Sequence, residues 1–112
     1  MSNPINEAIT DNEELNDFNR QGVDYFNRAN NDYGQFHFAE AVENCEKAAY
    51  FFEKAGDIKN QGDSYLLMGN IYAYISDYNR SLEILEKAVS LYERAGNLQA
   101  QGQASLEIGW VY

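Results

Sequence analysis

Glu43 to Tyr72 read ENCEKAAYFFEKAGDIKNQGDSYLLMGNIY, and forty positions later Glu83 to Tyr112 read EILEKAVSLYERAGNLQAQGQASLEIGWVY. The two stretches share the same residue at twelve of their thirty positions, namely 43, 46, 47, 48, 53, 55, 56, 61, 62, 66, 69 and 72 of the first copy. Many other pairs keep their chemical type. A period of this length is typical of arrays of stacked structural repeats, so the chain is interpreted as such an array.

Each copy predicts two helices joined by a tight turn. In the first half, apolar and small residues recur three or four positions apart, as at Ala41, Cys45 and Ala48, which indicates one packed face of a helix. Gly56 follows this series where a left-handed residue is expected, and Asp57 offers a side-chain oxygen to cap the next helix. Gly96 and Asn97 repeat these two positions in the second copy, and Asp77 is placed to cap the helix between them. We therefore expect each unit to be an antiparallel pair of helices.

The remainder of the chain extends this pattern in both directions. Residues 1–10 show no periodicity and are predicted to be a flexible lead. Thr10 and Glu13 form a capping-box signal, which predicts a first helix from about Asp11 to Tyr33. After a short turn, in which His37 stands at the capping position, four more helices are predicted at about 38–55, 58–75, 78–95 and 98–112. The predicted fold is therefore all-α, with five helices.

The helix pairs resemble tetratricopeptide repeats. The first-helix pattern of that family, an aromatic, a large apolar, a small residue and a tyrosine, matches Tyr65, Met68, Gly69 and Tyr72, and the second-helix pattern matches Ser81, Leu85 and Ala88. The resemblance covers the chain from about Gln21 and implies an α-solenoid. A period of forty is similar to the long-helix members of the family. The proline that closes the usual repeat is replaced by Glu53 and Glu93.

Interpreted as such repeats, the chain has a helical domain at 11–112 with units at 21–56 and 57–96 and a partial unit at 97–112. Ala29, Gly69 and Gly109 are small residues that we expect to allow close approach of paired helices. On the exposed faces, Glu43 with Lys47 and Glu83 with Lys87 have the spacing of helical ion pairs.

The composition excludes several classes of partner. Eighteen acidic and eight basic residues give a formal net charge of −10, so neither nucleic acid nor an anionic membrane is an expected partner. No apolar run reaches the length of a membrane span, and the N-terminus lacks the features of a signal peptide. One cysteine, Cys45, at a core position agrees with a cytoplasmic protein. We expect no catalytic site, no cofactor and no metal site, because the one histidine has no partners for such chemistry.

The resemblance implies a peptide-binding groove lined by the first helix of each repeat. The family's ligand-contacting positions fall on Phe26, Asn30, Tyr33, Asp63, Leu66, Asn70, Tyr74, Leu106 and Trp110, which we call the predicted groove residues. Family members that clamp a C-terminal carboxylate have basic residues where this chain has Phe26, Leu106 and Trp110, so an apolar or mixed peptide is the expected ligand. Asn30 and Asn70 either bind the peptide backbone or are merely solvated.

Two kinds of function follow. The first is a non-catalytic module that binds a protein or peptide partner in this groove. The alternative is a structural or self-assembly element, or the regulatory arm of a larger protein, that uses the apolar face of the last helix. That face carries Leu106, Ile108, Trp110, Val111 and Tyr112. It predicts either a fragment of a longer array or self-association.

Overall fold

A computed structural model of the chain describes the backbone of residues 4–112 and the side chains of residues 12–112. It contains five helices: α1 (Pro4–Gly34), α2 (Phe38–Ala55), α3 (Ile58–Tyr74), α4 (Tyr78–Arg94) and α5 (Leu98–Val111). Residues 4–112 contain no strand, so the prediction of an all-α fold is confirmed over that range. Consecutive helices pack against each other, and the molecule measures 58 × 29 × 18 Å. None of the helices described is both long and apolar enough to cross a membrane.

The first helix starts earlier than the sequence predicted. It begins at Pro4 rather than Asp11, so residues 4–10 of the predicted lead are helical and only residues 1–3 lie outside the described residues. Proline is favoured in the first turn of a helix because its fixed φ suits the helix and its missing N–H has no acceptor there. The backbone at Thr10 therefore lies inside the helix, so the predicted start at Asp11 was wrong, and the Thr10 side chain of the predicted capping box lies outside the described side chains.

The turns between later helices use the predicted chemistry. Gly56 and Gly96 have φ angles of +72° and +70°, a region where a Cβ atom is strained. The side chains of Asp57, Asp77 and Asn97 each accept a hydrogen bond from the backbone N–H three residues later, at 3.2, 3.3 and 3.0 Å. These side chains satisfy donors that a helix start leaves unpaired, which explains where α3, α4 and α5 begin.

His37 does not perform the capping role assigned to it. It precedes α2 at the N-cap position, but its side chain makes no capping hydrogen bond. Its exposed imidazole lacks the short, flexible geometry by which an aspartate or asparagine oxygen reaches back to the helix N–H groups. The start of α2 instead relies on the turn itself, in which the backbone N–H of His37 donates to the carbonyl of Asp32 at 2.8 Å.

α3 and α4 are held together by large side chains that lie on glycines. A Cβ atom on Gly62 would lie 2.8 Å from the Tyr92 ring, and one on Gly69 would lie 2.6 Å from Leu85. The later glycine meets the earlier α4 residue, so the two helices run antiparallel. The buried hydroxyl of Ser81 also donates to the backbone carbonyl of Gly69 at 2.8 Å. The prediction that Gly69 permits close helix approach is confirmed.

α1 and α2 pack in the same way, but the residues at one of the two close contacts differ in size. Gly22 lies under the Phe52 ring, where a Cβ atom would be 2.7 Å from the nearest ring carbon. Ala29 occupies the position that corresponds to Gly69, and it belongs to the same buried cluster as Cys45, which corresponds to Leu85. Ala29 is larger than Gly69, and its neighbour Cys45 is smaller than Leu85. The two differences compensate, so the space between the helices is filled in both pairs.

Gly109 makes no close helix contact among the described residues, so its predicted role stays a prediction. A Cβ atom on Gly109 would meet nothing within 4 Å, and the same holds for Gly102. Both residues are exposed on the face of α5 that corresponds to the α4-facing side of α3. Their positions therefore repeat the docking surface of Gly62 and Gly69 without an occupant in the structure.

One of the two predicted ion pairs is present. Lys47 lies 3.3 Å from the Glu43 carboxylate, with both side chains about half exposed or more. Among the side chains of residues 12–112, no ion pair joins Glu83 and Lys87, so that prediction was wrong. Exposed pairs at this spacing contribute only about 0.3–0.5 kcal/mol each, so the lack of this one has little effect on the stability of α4.

Replacement of Gly62 by alanine is expected to destabilise the fold, whereas the same change at Gly102 is not. The Tyr92 ring that a new Cβ would meet is rigid and fully buried, so overpacking is expected to cost about 1–3 kcal/mol. At Gly102 the added methyl meets open space and improves helix propensity by up to about 1 kcal/mol. Urea unfolding of both variants measures the difference, and equal stabilities would contradict this packing.

The thiol of Cys45 lies in the core, as predicted. It is fully buried, and burial, followed by the nearby Glu46 carboxylate, raises its pKa from 9.0 to about 12. The folded state thus favours the neutral thiol. This contribution to stability is intact below pH 9 and is lost as the pH rises from there toward 12, because the unfolded chain releases its proton first.

We expect Cys45 to resist alkylation in the folded protein at mildly alkaline pH and to react fully in urea, because the thiolate is the reactive form. Mass spectrometry after iodoacetamide treatment measures this. The matched control is Cys45→Ala/Ser90→Cys, which moves the thiol to an exposed position on α4. Equal reaction rates in the two folded proteins would be incompatible with the buried position.

Candidate functional site

The predicted groove residues all lie on the odd-numbered helices. α1 carries Phe26, Asn30 and Tyr33, α3 carries Asp63, Leu66, Asn70 and Tyr74, and α5 carries Leu106 and Trp110. The structure brings four of them together, two in each of two regions, and does not bring Phe26, Asn30, Asn70, Leu106 or Trp110 into either. Tyr33 and Tyr74 meet where α1 faces α3, and Asp63 and Leu66 line a pocket where α3 faces α5.

The first region is a group of four rings that we call the aromatic patch, formed by Tyr33, Phe36, Phe38 and Tyr74. Tyr74 packs against Phe38 with the ring centroids 5.1 Å apart and against Tyr33 edge-on at 6.1 Å. Phe36 lies 6.0 Å from Phe38 and 6.2 Å from Tyr74. Phe36 and Tyr74 are 65% and 57% exposed. The patch thus combines rings fixed by mutual contact with apolar area open to water.

Phe36 is held in a backbone conformation that its side chain disfavours. Its φ is +65°, in the left-handed region that costs a residue with a Cβ atom roughly 1–2 kcal/mol. The corresponding turn residue forty positions later, Ser76, has the same conformation with a small side chain. A bulky exposed ring at a strained turn gains little from burial. Such positions are concentrated at binding and active sites.

The two asparagines differ in their surroundings. The side-chain amide of Asn30 is exposed and donates to the backbone carbonyl of Phe26 at 3.2 Å, within its own helix. Its oxygen is left as an acceptor on the surface. Asn70 is half-buried on α3. Of the two alternatives for these residues, ligand binding or simple solvation, neither is decided by these contacts.

Asp63 is held by two neighbours. It accepts hydrogen bonds from the Lys59 ammonium at 2.7 Å and from the Tyr92 hydroxyl. Burial raises the pKa of Tyr92 far above its usual value, and the hydrogen bond to Asp63 raises it further. The phenol therefore remains protonated and keeps donating to the carboxylate. This contact joins α3 to the end of α4 and fixes the Asp63 side chain.

A pocket of about 280 Å³ surrounds this carboxylate between α3 and α5. Its lining consists of Lys59, Asp63, Leu66, Tyr92, Asn97, Gln99, Ala100 and Gln103. Amide groups from Asn97, Gln99 and Gln103 provide both donors and acceptors, which suits the backbone of an extended peptide. This second region is polar, in contrast to the aromatic patch.

Leu106 and Trp110 continue from this pocket along α5. They are 70% and 85% exposed, whereas Leu66 is half-buried against the cluster of Ala88 and Tyr92. At the positions where a carboxylate clamp has basic residues, the structure thus presents a leucine and an indole to water. Among the described side chains, no group of three or more His, Cys, Asp or Glu is arranged to hold a metal ion.

Sequence reasoning missed Phe36 and Phe38, which complete the aromatic patch. The family pattern assigns ligand contacts to helices, and these two residues lie in and just after the turn between α1 and α2. A signal was available, because the turn 34–37 contains a phenylalanine where its counterpart contains Ser76. Turns favour small polar residues, so an aromatic one there indicates a role at the surface.

Comparison of the chain with protein-family models, curated proteins and solved structures gave no match.

Proposed function

We propose that this chain is a non-catalytic protein-interaction module of the cytoplasm, a tetratricopeptide-like α-solenoid that binds a peptide or a helix along its odd-numbered helices. The observation that carries the proposal is the aromatic patch. Two of its rings are more than half exposed, yet all four are fixed by contact with one another. Rigid exposed aromatic groups are the commonest anchors for protein partners, because they bury large areas at little cost in side-chain entropy.

The proposed ligand has apolar side chains and a free backbone. The aromatic patch supplies contact for apolar side chains, and the amide-lined pocket around Asp63 supplies hydrogen bonds for peptide groups. Trp110 and Leu106 extend the apolar surface along α5. A protein net charge of −10 favours basic residues next to the apolar anchors of the ligand.

A peptide-display selection on the folded chain is expected to enrich one motif with apolar residues. Phe36→Ser/Tyr74→Ser should weaken binding of that peptide by about tenfold or more, because it removes both exposed anchors of the aromatic patch. Serine is tolerated at position 36, since Ser76 adopts the same backbone conformation. Asn30→Ala/Asn70→Ala tests the two predicted backbone contacts in the same assay.

The matched control is Tyr50→Ser, which removes a similarly exposed ring, 53% against 57% for Tyr74, from α2. It should leave binding of the selected peptide unchanged. Circular dichroism establishes that each variant is folded. A selection without a common motif, or equal loss in the control and the test variant, would sink the proposal.

Self-assembly through α5 is the second candidate function. It is favoured by Gly102 and Gly109, two glycines of α5 that no side chain covers in the structure. A large side chain of α4 lies directly on Gly62 and another on Gly69, whereas no atom lies within 4 Å of the Cβ position at the corresponding Gly102 and Gly109. Leu98 and Tyr112, on the same face of α5, are 80% and 86% exposed. A face with this shape accepts an apolar helix, including one from a second copy of the chain.

Gly102→Gln/Gly109→Gln is expected to abolish any self-association that uses this face. The added side chains prevent close helix approach, and they improve helix propensity by up to about 1 kcal/mol each, so the fold is retained. Sedimentation equilibrium over a range of protein concentrations measures the mass. A mass equal to one chain at every concentration, or association that the variant retains, would contradict this candidate.

A further inference from the structure

An open pocket of about 470 Å³ lies between α3 and α4, away from the predicted groove. It is lined by Gln61, Tyr65, Glu83, Glu86, Lys87, Ser90 and Leu91. Nine residues, or about two and a half helical turns, separate Gln61 from Asn70 and Tyr65 from Tyr74. The pocket therefore opens on the opposite side of α3 from the predicted groove residues.

The corresponding place between α1 and α2 is filled by rings. Phe51 stacks on Tyr25 with the centroids 5.6 Å apart and the planes nearly parallel, at 3°. Tyr50 packs edge-on against Phe51 at 5.2 Å, and Phe18 stacks on Phe51 with the centroids 6.3 Å apart. The ammonium of Lys47 lies over the Tyr25 ring at 5.5 Å. The first helix pair thus shows what this site looks like when it is occupied.

The α3–α4 pair keeps most of the residues that line that site but lacks the aromatic rings that fill it between α1 and α2. Tyr65 and Lys87 stand forty positions after Tyr25 and Lys47, and Gln61, Glu83 and Glu86 likewise repeat their counterparts in the first pair. The filling residues change, because Leu91 replaces Phe51, Ser90 replaces Tyr50 and Ile58 replaces Phe18. The side chain of Leu91 is almost fully buried and forms the floor. The counterparts of Tyr50 and Phe51 are therefore not aromatic, so Tyr65 lacks the ring that stacks on Tyr25 in the first pair.

We propose that this pocket binds an aromatic side chain of a partner polypeptide, which takes the place that Phe51 occupies between α1 and α2. The ring stacks on Tyr65 and covers Leu91, as Phe51 stacks on Tyr25 in the first pair. The rim carries the carboxylates of Glu83 and Glu86, so the partner presents a basic residue beside the aromatic one. This site is independent of the proposed function of the predicted groove.

The first experiment titrates the ¹⁵N-labelled chain with acetyl-Lys-Phe-Lys-amide and follows backbone amides by NMR. Shifts are expected at Gln61, Tyr65, Lys87 and Ser90. The matched probe acetyl-Lys-Leu-Lys-amide should bind about tenfold more weakly, because it lacks the ring. Acetyl-Glu-Phe-Glu-amide should also bind weakly, because its charges repel Glu83 and Glu86.

Two variants exchange the contents of the two sites. Ser90→Tyr/Leu91→Phe places rings at the positions that correspond to Tyr50 and Phe51, and it should abolish the shifts. Tyr50→Ser/Phe51→Leu removes those rings from the first pair and should create a second site, with new shifts at Tyr25 and Lys47. Thermal unfolding establishes that both are folded, and Ser90→Tyr alone, at an exposed position, serves if the double change unfolds the chain.

Three outcomes would overturn the proposal: no shifts with the phenylalanine peptide, equal affinity for the leucine peptide, or binding that persists in Ser90→Tyr/Leu91→Phe. Phe36→Ser/Tyr74→Ser should leave the shifts unchanged, because Phe36 lies in the turn between α1 and α2 and Tyr74 lies on the opposite side of α3 from the pocket. Loss of binding in that variant would also overturn the proposal. Failure of the predicted groove and failure of this pocket are therefore distinguishable.

Discussion

The helix pairs depend on one contact, a large side chain of the second helix lying directly on a glycine of the first. Phe52 lies on Gly22, Tyr92 on Gly62 and Leu85 on Gly69. A glycine inside a helix costs roughly 1 kcal/mol relative to alanine, so these positions are stable only because the close approach adds burial and dispersion contacts. The spacing of seven residues between Gly62 and Gly69, and between Leu85 and Tyr92, sets both the antiparallel direction and the register of the pair.

Most of the helical framework was predictable because it rests on local chemistry. The left-handed Gly56 and Gly96 and the capping oxygens of Asp57, Asp77 and Asn97 are readable from neighbouring residues alone, and the structure confirms each of them. Two of the local predictions failed, namely the start of α1 and the side-chain cap of α2. α1 extends back to Pro4, beyond the predicted start at Asp11, and no cap formed at His37 because imidazole is a poor substitute for a carboxylate.

The candidate site was less predictable, because it depends on contacts between distant residues. The family pattern placed Tyr33 and Tyr74 on separate helices but could not show that their rings meet, or that Phe36 and Phe38 join them. The sequence likewise could not show that Asp63 is already bonded to Tyr92 and Lys59. Gly109 has no neighbouring atom within 4 Å of its Cβ position among the described residues, so the close contact that the repeat pattern predicts there stays a prediction.

Trp110 is the only tryptophan in the chain and is 85% exposed at the end of α5. Its indole therefore emits from an aqueous environment in the folded state, and the core contributes no tryptophan signal of its own. Unfolding changes the surroundings of this fluorophore little, whereas a partner that covers α5 transfers it to an apolar environment. The protein thus carries an intrinsic optical probe that reports contact at α5 with little interference from changes in the core.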